Sequence, residues 1–355
     1  MKKEINRRDF LKYSAICGTG AAMGANLLSP PQGRAAKEVF TIAMSGGSWG
    51  DGNRKVFVEQ SGFAEKHNLE MQYSIQIEGV AVAKGLANCS KPIFDTNLCF
   101  NANSAKLYDA GCAVDLNRDW VPNWKDVRPA AHFGTYAFGY TFAINALTYN
   151  KEKVKPAPQS FEDLWNPKYK GKVGIPSYGW VGMYWLHAIN KYFGGDEENV
   201  QPGIDGLADL MKKQKPHVPD TVDLVKKLFH QGELWLMPFW DGRTRQLIDE
   251  GAPVGFAYIK DMMVVCMTAP CLKGVQNPKL VHDFINTTLD PERQVALAKI
   301  FKYSGTNRKC KLPPELEYIH TPENELEKAA KLDWVKIIRG IETNMELWNK
   351  KVLGV

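Results

Sequence analysis

Apolar positions fall in short unbroken runs through the first two thirds of this chain and at three-to-four-residue spacing through the last third. Residues 39–44 form one such run, ended by Ser45-Gly46-Gly47-Ser48 and followed by a helical pattern over 53–67. That order predicts a strand, a glycine turn and a helix. The unit repeats as a strand over 71–78 with a helix over 82–89, then a short strand over 93–98 with a helix over 104–109 that Gly111 ends. Residues 140–145 have strand character without a turn on either side, which predicts a segment crossing between two units.

A second α/β series begins at Ser160, a capping residue before Phe161. Strands are predicted over 173–175, 234–239, 254–259 and 263–269, among helices over 182–193, 203–212 and 221–231. Helices over 279–287, 291–301 and 324–352 close the chain, with Pro313-Pro314 as a break.

The first residues set the compartment. Arg7-Arg8 stands directly before the apolar stretch 13–28, the arrangement of an export signal read by the twin-arginine translocase. The stretch is diluted by Gly18, Gly20 and Gly24 and falls short of the roughly 20 apolar residues of a spanning helix. Cleavage is expected after Ala35, with Ala36 as the neighbouring choice, which delivers the mature protein to the periplasm. Cys17 follows Ile16 and lies too near the arginines to be a lipidation site.

Removing residues 1–35 takes away six basic and two acidic residues, so the formal charge falls from +6 to +2. No Lys/Arg-dense run remains and no nucleic-acid partner is expected. The remaining length of roughly 320 residues exceeds what one hydrophobic core supports and predicts two lobes. Six cysteines stay, Cys89, Cys99, Cys112, Cys266, Cys271 and Cys310; an even number permits disulfides in an exported protein without fixing their pairing. Their spacing gives no zinc site, and no cofactor is expected. Neither a His-Glu-x-x-His nor a Walker sequence occurs and the seven histidines stand singly, so an enzyme is not expected. No Tyr-Tyr pair offers the hard oxygen ligands of a ferric-ion binder.

Three phrases in fixed order carry a family likeness: Asn145-Ala146-Leu147-Thr148-Tyr149-Asn150-Lys151, then Pro158-Gln159-Ser160-Phe161-Glu162-Asp163-Leu164-Trp165, then Tyr169-Lys170-Gly171-Lys172-Val173 with Ile175-Pro176. The chain resembles the spermidine/putrescine-type periplasmic solute-binding proteins of ABC importers. The resemblance implies a type II periplasmic-binding fold, with two α/β lobes joined by hinge strands and the ligand between them. It also implies an ABC transporter permease as membrane partner and a monomer as working form. Lobe 1 is expected over 36–135 plus about 250–305, and lobe 2 over about 136–249 plus 306–355. Where polyamine binders carry a proline and an acidic residue, this chain has Lys260-Asp261-Met262, so a polyamine is the alternative ligand and not the first.

Cleft residues should stand at strand ends. On the first lobe these are Ser48 and Trp49, Glu78, Asp95 and Asn97; near the crossing segment, Tyr136. On the second they are Tyr178 and Trp180, then Trp240, Asp241 and Arg243, with Tyr258 on a later strand. An aromatic face and a carboxylate suit an ammonium group, and a guanidinium suits a carboxylate or phosphonate. The expected solute is therefore a small amine, amino-acid-like zwitterion or aminophosphonate, with Trp240 and Asp241 contacting it without supporting the fold.

Overall fold

The computed structural model describes residues 37–355. The export signal, its cleavage at Ala35 and Cys17 lie outside the described residues. The apolar run at the start forms strand β1, Glu38–Met44, at the centre of a parallel sheet. Its neighbours are β2, Leu69–Ile75, paired in register from Glu38 opposite Leu69 to Met44 opposite Ile75, and β3, Thr96–Asn97. Helices Gly47–Arg54 and Glu78–Ala87 lie in the two crossovers, as parallel pairing requires.

The second sheet is organised by one long strand. After β4, Cys99–Phe100, and β5, His132–Phe133, strand β6 runs over Ala137–Asn150 with every residue buried except the half-buried Tyr149. Antiparallel partners reach it from far along the chain: β7, Leu236–Trp240, pairs with its second half, β8, Val254–Ala257, with its last residues, and β9, Met263–Thr268, with its first half. On its far side β9 pairs with β4. A strand hydrogen-bonded this way along both edges reads as a nearly continuous apolar run, which is why residues 140–145 showed no flanking turn.

Three expectations change. The first helix starts at Gly47, whose φ of +68° lets the glycine turn itself open the helix. Residues 173–175 contribute only isolated bridges, Val173 to Leu236 and Gly174 to His217. The long terminal helix is broken into Glu323–Leu326 and Trp334–Leu347. Between them the backbone bonds to the loop before β9, with Asp261 N–H donating to Lys328 O (2.7 Å) and Ala330 N–H to Met262 O (3.0 Å). Asp333 then caps the restarted helix by accepting from the N–H groups of Val335 and Lys336.

Of the six cysteines, Cys89 and Cys112 form a disulfide that ties helix Glu78–Ala87 to the segment after Asp109. Cys99, Cys266 and Cys271 are free thiols in the interior, and burial raises the pKa of each. Reduction should therefore act through one bond. Treatment with dithiothreitol, or Cys89→Ser with Cys112→Ser, is expected to lower unfolding stability by about 2–4 kcal/mol in urea titrations, and reductant should leave the double variant unchanged.

Candidate functional site

A cavity of about 690 Å³ opens between the end of β1, the start of helix Glu78–Ala87, β4 and the end of β7. Five residues singled out at strand ends line it: Trp49, Glu78, Trp180, Trp240 and Arg243. Its walls are largely aromatic. Trp49 packs on Phe301 (4.4 Å between ring centres) and edge-on to Tyr303 (6.3 Å), while Phe100 stacks with Trp240 at 6.0 Å and 22°. Gly242 makes one of these contacts possible, because a Cβ there would lie 2.5 Å from the Tyr303 ring.

Three charged residues line this aromatic space: Glu78, Arg243 and the exposed Lys106 of helix Asn101–Asp109. Glu78 stands at the first turn of its helix, where Oε1 accepts from Phe100 N–H (2.8 Å) and from the Asn103 amide. Burial nevertheless pushes the Glu78 pKa up, against the lowering effect of those two hydrogen bonds. Arg243 sits in the first turn of helix Asp241–Asp249 and donates from Nη1 to Gln246 Oε1 (3.0 Å). Among the described residues neither Glu78 nor Arg243 forms an ion pair. A half-buried guanidinium with no ion pair among the described residues has the chemistry to bind an anionic group. Burial also raises the Tyr303 pKa to about 12, so its hydroxyl stays neutral beside Arg243.

Asp241 is placed differently from expectation. It is 1% exposed and accepts from Arg245 Nη1 (2.6 Å), the Tyr258 hydroxyl (2.9 Å) and the backbone N–H groups of Gly242 (2.9 Å) and Ile144 (3.2 Å). Arg245 in turn reaches Tyr258 Oη, Tyr318 O and Lys302 O. Asp241 and Tyr258 thus belong to a buried ion-pair network and do not line the cavity. The signal for Arg245 was the four-residue spacing from Asp241 on a helix, which puts both on one face.

The other candidates do not line this cavity. Asp95 accepts from Thr41 N–H (2.8 Å), where it ends the β1 edge. Asn97 is wholly buried in β3, and Tyr178 donates to Ile341 O (2.6 Å) while packing on Trp348. Tyr136 lines a different cavity. Ser48 is exposed on the first helix. Gly46-Gly47-Ser48-Trp49-Gly50 has the spacing of a hydrolase nucleophile turn, but the left-handed residue there is Gly47 and Ser48 makes no hydrogen bond to a histidine among the described residues. Reading from sequence missed Phe100, Tyr184, Tyr303 and Met267 in the wall. Phe100 alone had a usable signal, as an aromatic two residues beyond a predicted strand.

The family described as bacterial extracellular solute-binding protein matches residues 62–325. Among solved structures, an ABC transporter protein from Clostridium perfringens superposes with a TM-score of 0.77 at 20% identity, covering 88% of this chain and 99% of its own. A GABA receptor protein gives a TM-score of 0.72 at 15% identity over 87% of this chain and 95% of its own. The spermidine/putrescine substrate-binding protein PotD from Streptococcus pneumoniae gives 0.67 at 16% identity over 86% and 99%. The fold is the mixed α/β fold of periplasmic solute-binding proteins, as the sequence resemblance implied.

The buried network carries a stability prediction opposite to the one drawn from sequence. Asp241→Ala leaves Arg245 charged and unpaired in the interior, so it should cost about 3–5 kcal/mol in chemical denaturation. Arg243→Ala, at a half-buried cavity position, should change stability by less than about 1 kcal/mol.

Proposed function

The chain belongs to the bacterial extracellular solute-binding protein family, and we propose that it is the periplasmic capture component of an ABC importer whose solute is a small zwitterion. One observation carries this reading: Arg243 and Glu78 line the same aromatic cavity and neither forms an ion pair among the described residues. The acid group of the solute pairs with Arg243, its ammonium group with Glu78, and its body lies against Trp49, Trp180 and Trp240. Amino-acid-like and aminophosphonate compounds have this form. A polyamine offers Arg243 nothing but repulsion. That a protein of this fold is a GABA receptor agrees with an amino acid as ligand, and PotD shows that the fold also serves polyamines.

In this reading lobe 1, residues 36–135 plus about 250–305, contributes Trp49, Glu78 and Phe100. Lobe 2, about 136–249 plus 306–355, contributes Trp180, Trp240 and Arg243. Contacts from both lobes exist together only when the cleft is shut, so differential affinity for the shut state supplies the closing free energy. Export through the twin-arginine translocase, cleavage near Ala35 and delivery of the solute to a membrane permease complete the proposal.

A thermal-shift panel of amino acids, aminophosphonates and polyamines tests the solute class. A true ligand at 100 times its Kd adds about 2.7 kcal/mol of stability, and a panel in which only spermidine or putrescine raises the Tm overturns the zwitterion. Arg243→Ala should weaken the best zwitterion by about 2 kcal/mol or more, roughly thirtyfold.

Glu78 gives the pH dependence. Its folded-state pKa is raised, and the ionised form holds the ammonium, so affinity should be full above that pKa and fall as pH drops through it, at higher pH than an ordinary glutamate allows. For the free protein the sign reverses: the folded state holds this proton more tightly than the unfolded one, so the ionised carboxylate lowers stability at neutral pH. Glu78→Gln should therefore raise the Tm of the free protein at pH 7 while weakening the solute and flattening its pH profile, as calorimetry at a series of pH values will show.

A further inference from the structure

A second cavity, of about 830 Å³, lies on the opposite face of β9 from the first: Val264 lines one, Val265 and Met267 the other. The helix Trp334–Leu347 divides them as well, giving Trp334 and Val335 to the second cavity and Ile338 and Ile341 to the first. Across this wall Trp334 meets Tyr184 edge to face at 5.9 Å.

The floor of the second cavity is apolar and aromatic, built from Phe133, Tyr136, Val264 and Trp334, each no more than 9% exposed. One polar group in that floor is left without a hydrogen-bond partner among the described residues. Tyr136 is 6% exposed, its ring is stacked on Tyr108 at 4.5 Å, and its hydroxyl has no hydrogen-bond partner among the described residues. Burial raises its pKa to about 12, with the nearby Asp333 charge adding to the effect, so the hydroxyl is neutral and available to donate or accept.

The rim is richer in acid than in base. Glu197, Glu323, Glu327 and Asp333 face Lys191 and Lys331. Several of these are already engaged: Glu323 with Arg128 (2.7 Å), Glu197 with Lys191 (3.0 Å) and Asp333 in capping its helix. Glu327 has no ion pair among the described residues and stands exposed at the mouth.

We propose that this cavity is a second binding site, for a small organic ammonium with a flat apolar body. The body lies against Phe133 and Trp334, the nitrogen is met by Glu327 at the rim, and the Tyr136 hydroxyl in the floor donates to the face of the flat body. Carboxylate and aromatic faces together favour such a cation over an anion or a neutral solute. The site makes no use of Arg243 or Glu78, and it stands independently of the zwitterion reading.

The test uses the mature full chain and 2-phenylethylammonium as probe, with ligand-observed NMR and calorimetry. The background is Trp240→Ala with Glu78→Gln, so that the first cavity does not contribute. In that background the probe should bind, and adding Tyr136→Phe with Glu327→Gln should weaken it about tenfold or more. Tyr136→Phe keeps the ring on Tyr108, so folding is preserved, and an unchanged Tm checks this. No binding at about 10 mM, well above the millimolar range of weak sites, overturns the proposal. So does equal affinity with and without the second pair of substitutions. Failure of the zwitterion panel alone leaves this site standing.

Discussion

Strand β6 is the constraint on which the rest is built. It is buried along almost its whole length, and a buried backbone must find a partner for every N–H and C=O inside the protein. Those partners are the nearby β5 and then β7, β8 and β9, the last three drawn from residues 236–268, with Ser304 O accepting from Phe142 N–H and the Asp241 carboxylate from Ile144 N–H. Satisfying one strand thus gathers segments far apart in sequence. It also places Thr141 and Ala143 of β6 beside Val265 and Met267 of β9 on one cavity wall.

Helix geometry divides the charges that follow β7. Successive residues turn by about 100°, so Arg245 lies only about 40° round from Asp241, whereas Arg243 points about 200° away. Asp241 and Arg245 therefore close into a buried pair with Tyr258, and Arg243 lines the cavity without an ion pair among the described residues. Adjacency along the chain suggested that Asp241 and Arg243 would act together. Three residues of one helical stretch instead supply a structural ion pair, Asp241 with Arg245, and a cation at the cavity, Arg243.

Strand pleating makes a comparable division at β9. Because alternate side chains point to opposite faces, a six-residue strand serves both cavities at once. Both therefore share a strand and a helix, and Tyr184 and Trp334 touch through that shared wall. The main-chain bonds that hold residues 328–330 to the loop before β9 involve Ala330 of the second cavity's lining and explain why the terminal helix is interrupted.

Much of the architecture was legible because it rests on local pattern. The apolar run of β1, the glycine turn after it, the capped turn at Ser160 and the helices Pro278–Thr288 and Pro291–Phe301 follow from periodicity and capping chemistry. Aromatic residues read as standing at strand ends, Trp49, Trp180 and Trp240, line one cavity because strand ends of α/β units converge. The tertiary structure alone decided which charges were already matched: Asp95 by a backbone N–H of β1, Asp241 by Arg245, and Glu78 and Arg243 by no ion pair among the described residues. Burial and pairing are properties of neighbours in space, and the residues that neutralise one another here become neighbours only when the chain has folded.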